Sequence, residues 1–295
     1  MSGDPVESCI NALLAQEKLP ETYRALIRCF WRPLAEKIAA WRRMAGRPII
    51  VGVNGGQGAG KTTLCIFLEQ CLLPELGVKV ATVSLDDFYL PKAQRMALAE
   101  TVHPLLAIRG VPGTHDVAEL MKVLRALKSG APAELPVFDK SCDDRAPASR
   151  RVEGGVDVIL FEGWCVGAAP QSEEALAAPV NALECEEDQN GAWRCYVNKR
   201  LGSDYQAVFA LIDRLVMLRA PDMAAILENR REQERKLRAK APLGEAVMND
   251  EEVARFVQFY ERITRHMLAE MPSRADIVLE IAELRRIQES GRNAG

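Results

Sequence analysis

Apolar positions recur along the chain with two periods, and together they outline an alternation of helices and strands. Between residues 21 and 44, Leu26, Phe30, Leu34, Ile38 and Trp41 fall at helical spacing. Within that stretch Pro33 predicts a kink and Gly46 a stop. Ile49-Ile50-Val51-Gly52-Val53 is a short β-branched run, followed by a glycine-rich turn and a predicted helix from Thr63 to Leu73. Val78 to Leu85 reads as a second strand, and it ends in acids. Asp116 to Leu127 has apolar residues at 117, 120, 121, 124 and 127; Asp116 and Glu119 predict a capping box, and Gly130 a stop. Val156–Phe161, Arg214–Leu218 and Asp276–Ile281 read as further buried strands. A helix from Glu251 to Met271 carries Val253, Phe256, Val257, Tyr260, Ile263 and Met267 on one stripe. Near-continuously apolar strands alternating with helices predict a mainly parallel sheet covered by helices on both faces. Residues 168–200, rich in Ala, Pro and Glu, read as an irregular insertion. The expected organisation is a three-layer α/β domain over 47–295, with an N-terminal helical extension over 1–46 packed on it.

Composition narrows the partners more than the fold. Of 295 residues, 48% are apolar, enough for a sizeable core. Lys and Arg number 38 against 41 Asp and Glu, a net charge of −3. Without a large single-sign field, nucleic acid and anionic membrane surfaces are not expected partners. No apolar run approaches the roughly 18 residues of a membrane span. The first residues lack the positive-then-apolar pattern of a secretory signal, so a cytoplasmic protein is expected. The eight cysteines include no Cys-x-x-Cys pair and read as small buried hydrophobes in a reducing compartment. Only three histidines, 103, 115 and 266, are available for a metal cluster.

The chemistry concentrates in three places. Gly55-Gly56-Gln57-Gly58-Ala59-Gly60-Lys61-Thr62 matches G-x-x-x-x-G-K-[ST], set between a buried strand and an amphipathic helix. A triphosphate needs many converging backbone N–H groups, which glycines permit and a helix N-terminus supplements. The cradle is expected to run from Gly55 to Thr63, with Lys61 reaching the β- and γ-phosphates and Thr62 binding Mg²⁺. Asp86 and Asp87 close the second strand, where the carboxyl ends of a parallel sheet meet ligands. Either could accept a hydroxyl proton; Asp86 is the first choice. Glu162 ends the strand Val158-Ile159-Leu160-Phe161 and would orient the metal. No Asn-Lys-x-Asp base-reading motif occurs, because Asn198-Lys199 continues as Arg200-Leu201. A guanine-dependent switch is therefore disfavoured.

Taken together, Gly55–Thr62, Ser84-x-Asp86-Asp87-Phe88-Tyr89 and Glu162-Gly163-Trp164 resemble the P-loop small-molecule kinases that include uridine kinase, phosphoribulokinase and pantothenate kinase. Arg109-Gly110-Val111-Pro112-Gly113-Thr114-His115-Asp116, Pro136 to Ser141 and Tyr205-Gln206 are similar to the D-glycerate 3-kinase family in particular. The likeness spans roughly residues 47–281. It departs at Cys142-Asp143-Asp144-Arg145, where the family carries a longer glycine-rich stretch. The resemblance implies ATP and Mg²⁺, phosphorylation at the 3-hydroxyl of D-glycerate, and a lid around 222–245 containing Arg230 and Glu234. A carboxylate with two hydroxyls calls for cationic grips, and Arg109, His115, Lys140 and Arg145 supply them. Asp116 and Asp139 are candidate hydroxyl acceptors, and Tyr89 joins the acceptor set. The expected catalytic group is Lys61, Asp86, Glu162 and Arg230, with Thr62, Asp86 and Glu162 around the metal. A uridine site would need stacking aromatics, in which the segments between strands are poor. Kinases for uridine, pantothenate or a sugar phosphate, or a nucleotide-driven regulatory ATPase, are the alternatives.

Overall fold

The structure is a computed structural model that describes residues 5–238 and 248–284. Among the described residues seven strands form two sheets: β1 Ile49–Gly55, β2 Val80–Ser84, β3 Ala133–Asp139, β4 Asp144–Val152, β5 Val158–Gly163, β6 Arg214–Arg219 and β7 Ile277–Glu280. Five of them lie parallel in the order β2-β5-β1-β6-β7. Every residue of β1 and β5 is buried, which explains their unbroken apolar runs. Successive side chains point to opposite faces. Ile50, Ile159 and Phe161 enter one core with Leu120, Leu124, Val208 and Ile263. Ile49, Val51, Val53, Val158 and Leu160 enter the other, with Leu64, Leu68 and the N-terminal helices.

The N-terminal region completes that second layer. Pro5–Gln16 buries Ile10, Leu13 and Leu14. Tyr23–Leu26 runs through a π turn, Ile27–Trp31, into the helix Arg32–Ala45. Pro33 lies just after the π turn in a helix that runs on through it, and Gly46 at φ 64° closes the helix.

Four expectations are corrected. The polar hairpin β3–β4 is absent from the periodicity reading, because eight of the nine residues of β4 are polar, Pro or Ala and offer no apolar alternation. Residues 168–200 are not irregular. Ser172 and Asn181 cap the short helices Glu173–Leu176 and Ala182–Glu187, and Ala192–Arg200 follows. Buried Glu184 receives Arg262 at 2.6 and 2.7 Å, and buried Asp188 receives Arg194 at 3.0 Å, so charge pairing inside the molecule replaces an apolar pattern. Asp116 caps Val117–Lys128 through the Glu119 N–H, but its own N–H goes to Phe88, so the cap is not a reciprocal box. Finally, Cys9 and Cys71, 62 residues apart, form a disulfide, where all eight cysteines were expected to be thiols. Among the described residues, no helix is long and apolar enough to cross a membrane.

Candidate active site

The cradle forms where β1 gives way to the helix Lys61–Phe67. Gly58 and Gly60 adopt φ 72° and 86°, the left-handed region that glycine reaches without strain. A Cβ on Gly58 would also press to 3.0 Å from the Asn229 side chain. The Lys61 ammonium donates back to the Gly56 carbonyl at 3.2 Å. The Thr62 hydroxyl donates to Glu162 at 3.3 Å and the Ser84 hydroxyl to the same oxygen at 2.8 Å. Burial pushes the Glu162 carboxyl above its ordinary range, and the Lys61 charge only partly opposes this.

Asp86 stands across from the cradle. Its carboxylate accepts from the Tyr89 hydroxyl at 2.8 Å and from the Lys140 ammonium at 2.9 Å. Burial alone would raise its pKa, but Lys140, by charge and hydrogen bond, and Tyr89 together hold it below the usual carboxylate range. Asp87 is raised instead, chiefly by burial. The two neighbouring acids are therefore driven apart, Asp86 being the more acidic of the pair.

These groups line one cleft of about 720 Å³, together with Arg109 and Arg230. Arg109 lies over the Phe138 ring, 5.3 Å from its centroid, and pairs with Asp143. Its loop is held from three sides. Tyr260 donates to the Arg109 carbonyl at 3.3 Å, Trp164 to the Gly110 carbonyl at 2.8 Å, and the Gly113 N–H to Tyr205 at 3.0 Å. Gly110, at φ 135°, faces the Tyr260 hydroxyl, which would stand 2.2 Å from a Cβ there. Asp143 sits at φ 56° and also pairs with buried Arg95, so a charged side chain fixes the hairpin turn where the sequence lacks glycines. Arg230 lies over Phe256 at 5.0 Å and is held by Glu234 and Gln233.

Not every predicted residue reaches the cleft. Gly55 and Gly56 support the cradle from below, packed on Leu218 and Ile226. His115 is buried, neutral and turned to Tyr205, its pKa lowered to about 3 by burial, so it cannot serve as a cationic grip. Asp116 accepts Arg145 at 3.2 Å while capping its helix, and Arg145 also donates to the Tyr89 carbonyl at 2.9 Å; both are occupied in shaping the loop. Asp139 accepts from the Ser141 N–H and hydroxyl at the hairpin turn, which lowers its pKa and leaves it outside the cleft. Residues 239–245 of the expected lid lie outside the described residues.

The cleft also holds Tyr23, Leu26 and Trp31 from the N-terminal helices, which motif reading missed, and Ser84, Asn229, Glu232 and Gln233, which lie within the motif and lid read from the sequence but were given no role there. Phe256 and Tyr260 sit on the apolar stripe of the helix Asp250–Glu270, where core and cleft residues carry the same signal. With Tyr89 and Trp164 they give the cleft an aromatic wall, correcting the expectation of a site poor in aromatics.

No protein-family profile matches the sequence. The uncharacterized kinase mug58 of Schizosaccharomyces pombe is 36% identical over 226 residues, 73% of this chain and 79% of that protein. The chloroplastic D-glycerate 3-kinase of Arabidopsis thaliana is 34% identical over 246 residues, 78% of this chain but only 50% of its own length. Among solved structures, D-glycerate 3-kinase from Cryptococcus neoformans superposes with a TM-score of 0.70 at 28% identity, covering 85% of this chain and 94% of that one. The chain belongs to the P-loop kinase family that takes in mug58 and these D-glycerate 3-kinases.

Proposed function

We propose that the protein is a Mg²⁺-dependent kinase that transfers the γ-phosphoryl of ATP to the 3-hydroxyl of D-glycerate. The observation that carries this reading is the pairing, in one cleft, of a phosphate cradle with an ionised Asp86 held between Lys140 and Tyr89. The similarity to two D-glycerate 3-kinases supports the choice of acceptor.

In this reading the cradle N–H groups and Lys61 take up the phosphates, Lys61 leaving the Gly56 carbonyl to do so. Thr62, Ser84 and Glu162 present only oxygens, the donor set that suits Mg²⁺. Thr62, Asp86 and Glu162 would hold the ion, which when bound neutralises charge on the phosphates. Asp86 accepts the acceptor hydroxyl proton and aligns its oxygen. Arg109 and Lys140 grip the carboxylate, and Arg230 offsets charge on the migrating phosphoryl.

The aromatic wall favours a second reading, a nucleoside acceptor. Its rings are already engaged, however: Trp164 with the Gly110 carbonyl, Phe256 beneath Arg230. ADP release measured with D-glycerate, L-glycerate, uridine and pantothenate tests the choice, and ³¹P NMR of the product identifies the hydroxyl. Acceptor-dependent turnover with uridine or pantothenate but not D-glycerate would replace the acceptor and leave the kinase reading intact.

A further inference from the structure

The Arg109–Asp116 loop has a second face. Behind it, outside the cleft, a groove of about 460 Å³ lies between the helix Lys92–Thr101, the start of Val117–Lys128 and the Ala192–Tyr205 segment. Gln94, His115, Asp116, Tyr196, Arg200 and Asp204 line it. His115, only 2% exposed, explains why this groove differs from an ordinary surface furrow. Its Nδ1 lies 2.6 Å from the Tyr205 oxygen, and its Nε2 has no hydrogen-bond partner among the described residues.

The proton positions follow from the neighbours. The Tyr205 oxygen accepts both the Gly113 N–H and the His115 backbone N–H, which fills its two lone pairs and leaves its own proton for His115 Nδ1. The neutral ring then carries its proton on Nε2, as an unsatisfied buried donor. Such a donor is costly unless a partner arrives from outside the chain. More donors converge beside it. Val117 and Ala118 open a 12-residue helix, and their N–H groups have no intrahelical acceptor. Arg200, paired with Asp204, leaves its Nε without a partner among the described residues. The groove's other acid, Asp116, is balanced by Arg145.

We propose that this groove is a second ligand site, taking the oxyanion of a small carboxylate or phosphomonoester against His115 Nε2, Arg200 and the first turn of Val117–Lys128. It is wired to the cleft. The His115 ring stacks on Tyr89 at 4.5 Å, and the Tyr89 hydroxyl donates to Asp86. An occupant therefore bears on the same tyrosine that positions the ionised acid. Binding at the groove is independent of the acceptor's identity; only the consequence for turnover rests on the phosphotransfer reading.

The full chain labelled with ¹⁵N-histidine tests it directly, since three histidines give three resolvable rings. With a non-hydrolysable ATP analogue filling the cradle, inorganic phosphate and acetate are titrated separately, representing the two sources of the oxyanion. A saturable shift of the His115 Nε2 signal is expected with at least one, and Arg200→Gln should weaken it about tenfold, the worth of one charge-assisted hydrogen bond. Arg200→Lys keeps the charge opposite Asp204, and with it the fold, but removes the Nε donor; weakening is expected here too. No shift with either anion, or the same shift in both variants, would overturn the proposal, the second marking an adventitious ion only. An Nε2–H that exchanges freely with water and ignores both anions marks a water site and overturns it equally.

Discussion

Lys61 and Asp86 do different work, and substitution should separate them. Lys61→Ala removes the cradle's ammonium, the charge assigned here to the phosphates. Turnover is expected to fall by about 10³-fold or more, with markedly weaker nucleotide binding. Asp86→Asn keeps the shape and removes the proton acceptor; turnover should drop by about 10²- to 10⁴-fold while nucleotide affinity, followed by titration of a fluorescent ATP analogue, stays near the parent value. Retained turnover would move the proton to Asp87. The two acids of the site also predict the pH profile. Asp86 is held below the ordinary carboxylate range, so it remains ionised well into acid. Glu162 is pushed above its ordinary range by burial, so it is the first to gain a proton as pH falls. The acid limb of kcat/KM should therefore report Glu162, with its midpoint above the value of a free glutamate. Lys140→Ala removes a charge that lowers the pKa of Glu162 as well as of Asp86, so it should move the acid limb upward. An unmoved limb in that variant would show that the Lys140 charge does not reach Glu162.

Among the elements, the N-terminal helices turn out to be part of the site as well as of the core. Tyr23 meets Trp31 edge-on at 5.9 Å, and Trp31 lies 5.1 Å from Phe67 on the helix that follows the cradle. The Cys9–Cys71 disulfide ties the first helix to the same region. Closing a loop of 62 residues restricts the unfolded chain by up to about 4 kcal/mol in the chain-entropy account. Cys9→Ser should thus lower the urea midpoint of unfolding, and a reductant should bring the parent protein to the same midpoint without affecting the variant. Because Tyr23, Leu26 and Trp31 line the cleft, both treatments are expected to raise the KM for ATP more than they lower kcat. An unchanged midpoint in Cys9→Ser would show that the bond contributes nothing to the fold. These elements also show what a sequence discloses. Strands buried on both faces, such as β1 and β5, announce themselves by apolar runs, and the cradle by its spacing. The hairpin β3–β4 and the helices of 168–200 are held by polar contacts, Arg95 with Asp143 and Arg262 with Glu184, which leave no periodic trace. The same limit explains the acceptor side of the cleft. Arg109 and His115 are six residues apart in one motif, yet one faces the cleft and the other the groove behind it. Only the contacts of Tyr205, Trp164 and Tyr260 decide which.

For the molecule as a whole, a net charge of −3 gives no long-range attraction for anionic substrates. The cleft repeats that balance locally: Lys61, Arg109, Lys140 and Arg230 stand against Asp86, Asp87, Glu162 and Glu232 among its lining residues. Selectivity for a phosphorylated ligand must then come from short-range donors, the cradle N–H groups and directed ammonium and guanidinium groups, and not from a diffuse positive field. Short-range contacts within a cleft are screened weakly, whereas steering over distances beyond the Debye length, about 30 Å at 0.01 M and 10 Å at 0.1 M salt, is screened strongly. The two designs give opposite salt responses. Here kcat/KM for ATP should change by less than about threefold between 0.01 and 0.15 M KCl, since there is little steering to lose. The charge variant Asp87→Asn supplies the contrast. It tips the cleft toward positive charge without touching the cradle, so it should raise kcat/KM for ATP at low salt and lose that gain as salt is added. If the parent protein already shows a steep fall with salt, the field that draws ATP extends beyond the cleft, and the balance among these eight side chains is not what governs capture.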